Sequence, residues 1–221
     1  MKKRTGRSPV ANYFHNRTLE LTAHGEPYGD GIRLPVDERG MIVDQQLLRG
    51  YRMAAADSAD CGCGWVACYN ALRLLGRPQR PESVIKALEH DYVLRGHLGT
   101  RTISLPFFFA ARGFAVRLSF TRAGAEKNAA AAAANILYYV RGRHPSAHFV
   151  AFAAAGQDAD GTPLYRFYNS LSAPLGRRSA PAGEQRPCWC AGGSAGDRRT
   201  LAALLAPEHA VFKAVLSISN R

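Results

Sequence analysis

The chain has 221 residues, of which 47% are hydrophobic, and it carries a formal net charge of +12. A chain of this length is long enough to form one domain with its own core, and no apolar run approaches the roughly 18 residues that span a bilayer. The composition therefore predicts a globular protein without a transmembrane segment. The first residues are basic but no apolar stretch follows them, so we expect no signal peptide and a cytoplasmic location.

The excess of basic residues bears on the binding partner, and the number of cysteines bears on the chemistry of the thiols. The basic residues are scattered, and no nucleic-acid-binding motif accompanies them. The scattered charge favours arginine used as a general solubilising residue, and it is also compatible with an acidic peptide or protein substrate. Five cysteines, an odd number in a chain expected to be cytoplasmic, argue against a disulfide framework and favour free, catalytic or metal-bound thiols. No motif implies a cofactor.

The elements can be predicted in chain order. Residues 1–50 mix short apolar patches with glycine and proline, and predict a partly irregular N-terminal arm with one strand at residues 41–43. Residues 51–221 are predicted to form the main domain, with a long loop at residues 171–198. Helices are predicted at residues 65–75, 81–89, 105–112, 125–135 and 201–206. Strands are predicted at residues 114–120, 136–140, 148–155, 164–170 and 210–218. Helices before an antiparallel sheet indicate an α+β fold.

The stretch DCGCGWVACYNALRLLG, residues 60–76, is the most informative part of the chain. At the start of an amphipathic helix, the helix dipole favours the thiolate over the thiol of a cysteine. If the helix begins near Gly64, Cys63 lies at its cap or first turn, whereas Cys61 lies in the preceding turn. Cys68 falls among apolar neighbours in mid-helix and is predicted to be buried and inert. Helical phase therefore favours Cys63 as a nucleophile, with Cys61 as the alternative.

Two residues further along could complete a catalytic set. His148 opens the predicted strand HFVAF, where an imidazole can take a proton from a thiol and return it to a leaving amine. Asn169 closes the next strand and could orient that imidazole through its side chain, although an Asn-Ser pair also commonly starts a loop. His144, in a Gly-Arg-His-Pro turn, is a weaker candidate base. The chain order Cys, His, Asn is that of the papain-like thiol hydrolases.

The motifs CGWVACYNALRLLG, HFVAF and YRFYNS resemble those of the bacteriocin-processing, double-glycine-leader cysteine peptidases and their soluble relatives. The resemblance covers about residues 53–170. It implies a papain-like α+β fold and cleavage of a peptide or isopeptide bond through a thioester. It also implies that Cys63 is the nucleophile, His148 the base and Asn169 the residue that orients it.

Two departures from the family pattern bear on function. The family usually has a glutamine about six residues before the nucleophile as the oxyanion donor, and here that position is Asp57, followed by Ser58. A carboxylate would repel an oxyanion. Either the Cys63 N–H and the Ser58 hydroxyl serve instead, or Gln45 or Gln46 approaches the site, or the enzyme is impaired. The leader peptidases are also fused to a membrane transporter, and this chain contains no such segment, so leader processing is not predicted.

Three alternatives remain open from the sequence. Cys61, Cys63, Cys188 and Cys190 form a CxC…CxC set that could hold a structural zinc ion. The papain-like fold could also persist as a binding module without activity, which the acid at position 57 favours. Finally, an amine in place of water as acceptor would make the protein an acyltransferase.

Overall fold

The computed structural model describes residues 8–23, 34, 36–140, 147–169, 198–206 and 209–221. Its α-helices are α1 (Pro9–Ala23), α2 (Ser58–Cys61), α3 (Cys63–Leu74), α4 (Pro81–Ala87), α5 (Ser104–Ala110), α6 (Arg122–Ala131) and α7 (Leu201–Leu205). Its strands are β1 (Arg52–Met53), β2 (Ala56–Asp57), β3 (Ala115–Ser119), β4 (Ala134–Val140), β5 (Ala147–Gln157), β6 (Pro163–Tyr168), β7 (Arg198–Arg199) and β8 (Val211–Ser219). No helix among the described residues is both long and apolar enough to cross a membrane.

Six of the strands form one sheet in the order β3-β8-β4-β5-β6-β7, and all of its neighbouring strands are antiparallel. The short strands β1 and β2 form a separate hairpin. The predicted hairpin of β5 and β6 is confirmed, with Ala151 opposite Tyr168. The fold is therefore α+β, with helices packed against an antiparallel sheet as predicted.

The side chains of the sheet separate into two clusters, one on each face. Ile136 and Phe149 belong to the first, which contains most of α3 including Cys63 and is called here the α3 cluster. Leu137 and Val150 belong to the second, together with residues of α6 and α7. Because successive side chains of a strand point to opposite faces, helices cover the sheet on both sides.

The N-terminal arm differs from its prediction. Residues 9–23 form the helix α1, whose buried face carries Asn12, Asn16 and Glu20 at a spacing of four, while Val10 and Phe14 are exposed. The two asparagines hydrogen-bond to the backbone of the β1–β2 hairpin. A helix that buries polar residues lacks the apolar period by which helices are recognised, which explains why the sequence did not reveal it.

The remainder of the arm also differs from its prediction. The strand predicted at residues 41–43 is a single bridge between Val36 and Ile42. Ile42 and Leu48 are fully buried in the α3 cluster. The described part of the arm thus shares one core with the main domain, and it brings Gln45 into the interior.

Helix α1 packs against α4 through two buried acids. Glu20 and Glu82 are only 6% and 1% exposed. Burial, together with the neighbouring Glu82 carboxylate, raises the pKa of Glu20 from 4.5 to about 8. The folded protein therefore binds more protons than the unfolded chain between these two values, so the free energy of unfolding falls as the pH rises through that range.

We expect Glu20→Gln to remove this dependence. The variant should be more stable than the wild type at pH 8, because the amide needs no proton to be buried. Its melting temperature should also depend less on pH between 4.5 and 8. Thermal unfolding across this range measures the effect. Glu38→Gln, at an exposed position, is the control and should follow the wild type. A wild-type melting temperature that does not fall with pH would contradict the prediction.

Candidate active site

Cys63 is the first residue of α3, as helical phase predicted. The preceding helix α2 ends at Cys61, and Gly62 separates the two helices and caps α3 without a side-chain hydrogen bond. The Cys63 side chain is 9% exposed. Cys63 is therefore the first residue of a twelve-residue helix, the position where a helix dipole favours a thiolate.

The two glycines that flank Cys63 are required by packing. A Cβ atom on Gly62 would overlap the carbonyl oxygen of Ser58. A Cβ on Gly64 would lie 2.5 Å from Oγ1 of Thr100. The CGCG motif therefore lets two other segments approach the start of α3 closely, and this fixes the position of Cys63.

The other two described cysteines are held as thiols. The Cys61 thiol donates a hydrogen bond to the carbonyl oxygen of His97 at 3.3 Å. Burial, and then the Asp60 and Asp57 carboxylates, raise the pKa of Cys61. Cys68 is completely buried, and burial raises its pKa as well. Because the thiolate is the nucleophile, both environments disfavour these cysteines as nucleophiles.

His148, Asn169 and Gln45 form one buried hydrogen-bonded group, with each residue at most 3% exposed. Nε2 of His148 lies 2.9 Å from the backbone oxygen of Asn169. The Asn169 side chain pairs with Gln45 instead: its Oδ1 accepts from the Gln45 backbone N–H and its Nδ2 donates to Gln45 Oε1, both at 2.9 Å. Gln45 Nε2 in turn donates to the carbonyl oxygen of Ala59 at 3.4 Å.

Asn169 therefore meets His148 through a different atom from the one predicted. It follows the last residue of β6 with a φ of 63°, a left-handed conformation that asparagine adopts more readily than most residues. In this conformation its carbonyl group holds the imidazole and its side chain reaches Gln45. The prediction of a side-chain contact between Asn169 and the imidazole is corrected accordingly.

Cys63 and this buried group lie at the same end of the sheet. Arg77 follows the C-terminal end of α3, and its guanidinium carbon lies 5.0 Å from the ring centre of Phe114. Phe114 directly precedes β3, whose first residue pairs with the last residue of β8. His148 pairs with Tyr139, which pairs with Phe212 near the opposite end of β8. The N-terminal end of α3 is thus directed towards the end of the sheet that holds His148. Gln45 contacts Ala59, four residues before Cys63.

The face of the sheet occupied by His148 is set by its strand. Its ring meets the ring of Tyr139 edge to face, with the centroids 5.6 Å apart. Tyr139 belongs to the cluster of α6 and α7, whereas the next residue, Phe149, packs in the α3 cluster. His148 therefore lies near the start of β5, on the Tyr139 side of the sheet.

The predicted oxyanion donors have structural roles. Asp57 accepts hydrogen bonds from the backbone N–H groups of Ala59 and Gly50, each at 3.0 Å, and caps α2. The Ser58 hydroxyl is fully buried and accepts from Nε1 of Trp65 at 3.0 Å. A carboxylate at position 57 is thus explained by capping, and neither side chain is presented as a donor to a substrate. Of the glutamines considered, Gln45 is hydrogen-bonded to Asn169 and Ala59, whereas Gln46 is exposed.

No family model, no curated protein and no solved structure matches this chain. What the site can do is therefore judged from its own residues. They supply a cysteine at a helix start, an imidazole held by a carbonyl group, and a buried pair of carboxamides.

The alternative metal site finds no support within the described ranges. No group of three or more His, Cys, Asp or Glu side chains there is placed to hold a metal ion. Cys188 and Cys190, like most of the predicted loop at residues 171–198 and His144, lie outside the described residues. The zinc hypothesis therefore stays a prediction for those two cysteines.

Sequence reasoning did not identify Tyr139 or Thr100 as neighbours of the site, and it considered Gln45 only as an oxyanion donor. The pairing of Gln45 with Asn169 joins residues 124 positions apart, which no local pattern can show. The two glycines of LRGHLGT, at residues 94–100, were a usable signal that this segment lies close to another part of the backbone.

We expect the Gln45–Asn169 pair to stabilise the fold measurably. Asn169→Ala leaves the backbone N–H and Oε1 of Gln45 unpaired in the interior, at a cost of about 2 kcal/mol. Gln45→Ala removes the side-chain bond but keeps the backbone N–H bond to Asn169, so it should cost about 1–2 kcal/mol, and the double variant little more than Asn169→Ala alone. Denaturant unfolding of all four proteins gives the coupling energy, expected at about 1–2 kcal/mol. The left-handed strain of alanine at position 169 is present with or without Gln45, so it cancels. Additive effects of the two substitutions would contradict the pairing.

Proposed function

We propose that this protein is a thiol hydrolase of papain-like fold that cleaves a peptide or isopeptide bond, with Cys63 as the nucleophile and His148 as the base. One observation supports this most directly. Cys63 begins α3 at the end of the sheet where His148 lies, and Gln45 and Asn169 connect the segment before Cys63 to the imidazole. The order Cys, His, Asn and the motifs around these residues add the resemblance to papain-like peptidases.

The tautomer of His148 follows from its hydrogen bond. A carbonyl oxygen can only accept, so Nε2 carries the hydrogen towards Asn169 and Nδ1 carries the lone pair. Nδ1 is therefore the nitrogen that would take the thiol proton. In this proposal Asn169 orients the base through its carbonyl oxygen, and Gln45 positions Asn169.

The proposed reaction has two halves. First, Nδ1 of His148 removes the Cys63 proton, and the thiolate attacks the substrate carbonyl carbon. The C–N bond breaks, the leaving amine takes the proton from the imidazolium, and a thioester remains on Cys63. In the second half His148 removes a proton from water, the hydroxide attacks the thioester, and the returning proton restores the thiol as the acid product leaves. An amine in place of water would give acyl transfer through the same thioester.

Alkylation by iodoacetamide tests the nucleophile. We expect Cys63 to react at pH 7 at least about tenfold faster than Cys61, because the helix dipole and His148 favour its thiolate while burial and two carboxylates disfavour that of Cys61. Exposure alone predicts the reverse order, since Cys61 is the more exposed of the two. Peptide mapping by mass spectrometry reads out both rates.

Two variants are the controls. His148→Ala should remove most of the excess reactivity of Cys63 at pH 7, and Tyr138→Ala, a neighbouring aromatic position on the other face, should not. Equal rates for Cys61 and Cys63, or a Cys63 rate that does not respond to His148→Ala, would overturn the proposal.

One observation favours a second candidate, a papain-fold binding module without turnover. The His148 ring lies on the Tyr139 side of the sheet, whereas α3 packs against the opposite face. For such a module the same experiment gives a Cys63 that reacts slowly and independently of His148.

A further inference from the structure

A loop beside the candidate nucleophile exposes two large apolar side chains. Residues 92–100, called here the 92–100 loop, turn back on themselves through a bridge between Tyr92 and Thr100. Leu94 and Leu98 lie on this loop and are 67% and 66% exposed. Single exposed leucines are common on proteins, so the location and the backbone of the loop decide whether these two have a role.

The second half of the loop lies along the segment that contains Cys63. The carbonyl oxygen of His97 accepts a hydrogen bond from the Cys61 thiol. The side chain of Thr100 packs where Gly64 lacks a Cβ, in the first turn of α3. Leu98 lies between these two contacts in the sequence, so its exposed side chain projects from backbone that borders the start of the helix.

The loop is held in one unusual conformation. Leu94 and Arg95 have φ values of 47° and 55°, in the left-handed region that residues with a Cβ avoid. Backbone hydrogen bonds fix the turn: Ala55 N–H donates to the Arg95 carbonyl at 3.0 Å, and Val93 N–H donates to the Gly99 carbonyl at 2.9 Å. Strained backbone that the surroundings hold in place is typical of segments that bind ligands.

We propose that the 92–100 loop is the substrate-binding wall of the site, and that Leu94 and Leu98 bind an aliphatic side chain next to the scissile bond of a peptide substrate. The inference rests on the proposed function. Charge does not select the partner at this position, because the exposed Arg95 is balanced by the exposed Asp60. Apolar contact therefore determines which substrate is preferred. A well-fitted aliphatic side chain raises the kcat/KM of one substrate over another by about tenfold or more.

Two peptidyl chloromethyl ketones test this wall, one with leucine and one with aspartate at the residue bearing the reactive group. The Cys63 thiolate displaces chloride from either probe and forms a thioether, so no turnover is needed. We expect the leucyl probe to react with wild-type Cys63 about tenfold faster than the aspartyl probe. Leu94→Ser/Leu98→Ser should bring this ratio close to one and leave the iodoacetamide rate of Cys63 unchanged.

Val10→Ser/Phe14→Ser is the matched control, because it removes two apolar side chains from α1 that are also more than half exposed. This variant should keep the wild-type ratio. If iodoacetamide alkylates Cys63 selectively while the leucyl preference is absent or persists in the loop variant, the role of the 92–100 loop in substrate binding is refuted. That result would leave the thiol hydrolase proposal intact. If iodoacetamide does not prefer Cys63, the hydrolase proposal fails and the wall fails with it.

Discussion

Cys63→Ala is expected to abolish hydrolysis of fluorogenic peptide amides, with a loss of at least about three orders of magnitude in kcat. The side chain removed is small and lies at the start of α3, so the fold should be retained and the melting temperature should change little. Loss of the sulfur removes the atom that would form the thioester. A panel of peptides with aliphatic residues before the amide provides the substrates, and circular dichroism confirms folding.

Cys61→Ala is the matched control for this loss. Cys61 lies two residues away in the same motif, and its thiol donates to a backbone carbonyl rather than facing a base. We expect this variant to keep most of the activity. If Cys61→Ala is inactive and Cys63→Ala is active, the nucleophile has been assigned to the wrong cysteine.

Gly62→Ala is expected to cause a large loss of stability from a single methyl group, about 3 kcal/mol. The added Cβ would overlap the carbonyl oxygen of Ser58 and approach Nε1 of Trp65 to 2.8 Å. Ser58 is in α2 and cannot move without displacing that helix, so the strain falls on the junction that positions Cys63. Equilibrium unfolding in urea measures the change, and the alkylation rate of Cys63 should fall with it.

Gly76→Ala separates this steric effect from backbone strain. Gly76 has a φ of 71° and no other atoms within 4 Å of its ideal Cβ position, whereas Gly62 has an ordinary φ of −79° and a crowded surrounding. We expect Gly76→Ala to cost roughly 1 kcal/mol through its left-handed conformation alone and to leave Cys63 reactivity unchanged. A Gly62→Ala variant as stable as Gly76→Ala would show that the α2–α3 junction is not tightly packed.

Local patterns predicted the elements that bear the candidate site. The apolar period over residues 65–75 predicted α3, which is confirmed and begins at Cys63, two residues before the predicted start. An apolar run and the turn sequence QDADGTP predicted β5 and its hairpin with β6, which place His148 and Asn169 near each other. These predictions succeeded because helix and strand periods arise from backbone geometry and burial within a short segment.

The contacts that complete the site could not be predicted in the same way. Asn169 was expected to use its side chain on His148 and uses its carbonyl instead, because its side chain has Gln45 as a partner. Asp57 was interpreted as a defective oxyanion position and is a helix cap. In both cases the deciding partner is brought in by the fold.

The sequence by itself determined the α+β class, a helix beginning close to Cys63 and the strand that carries His148, because each depends on residues close together in the chain. Tertiary structure alone decided that α1 buries a polar face, that Gln45 pairs with Asn169 and that His148 lies on the Tyr139 side of the sheet. These features depend on which distant segments meet in the core. A buried polar group takes whichever hydrogen-bonding partner the packing brings within reach.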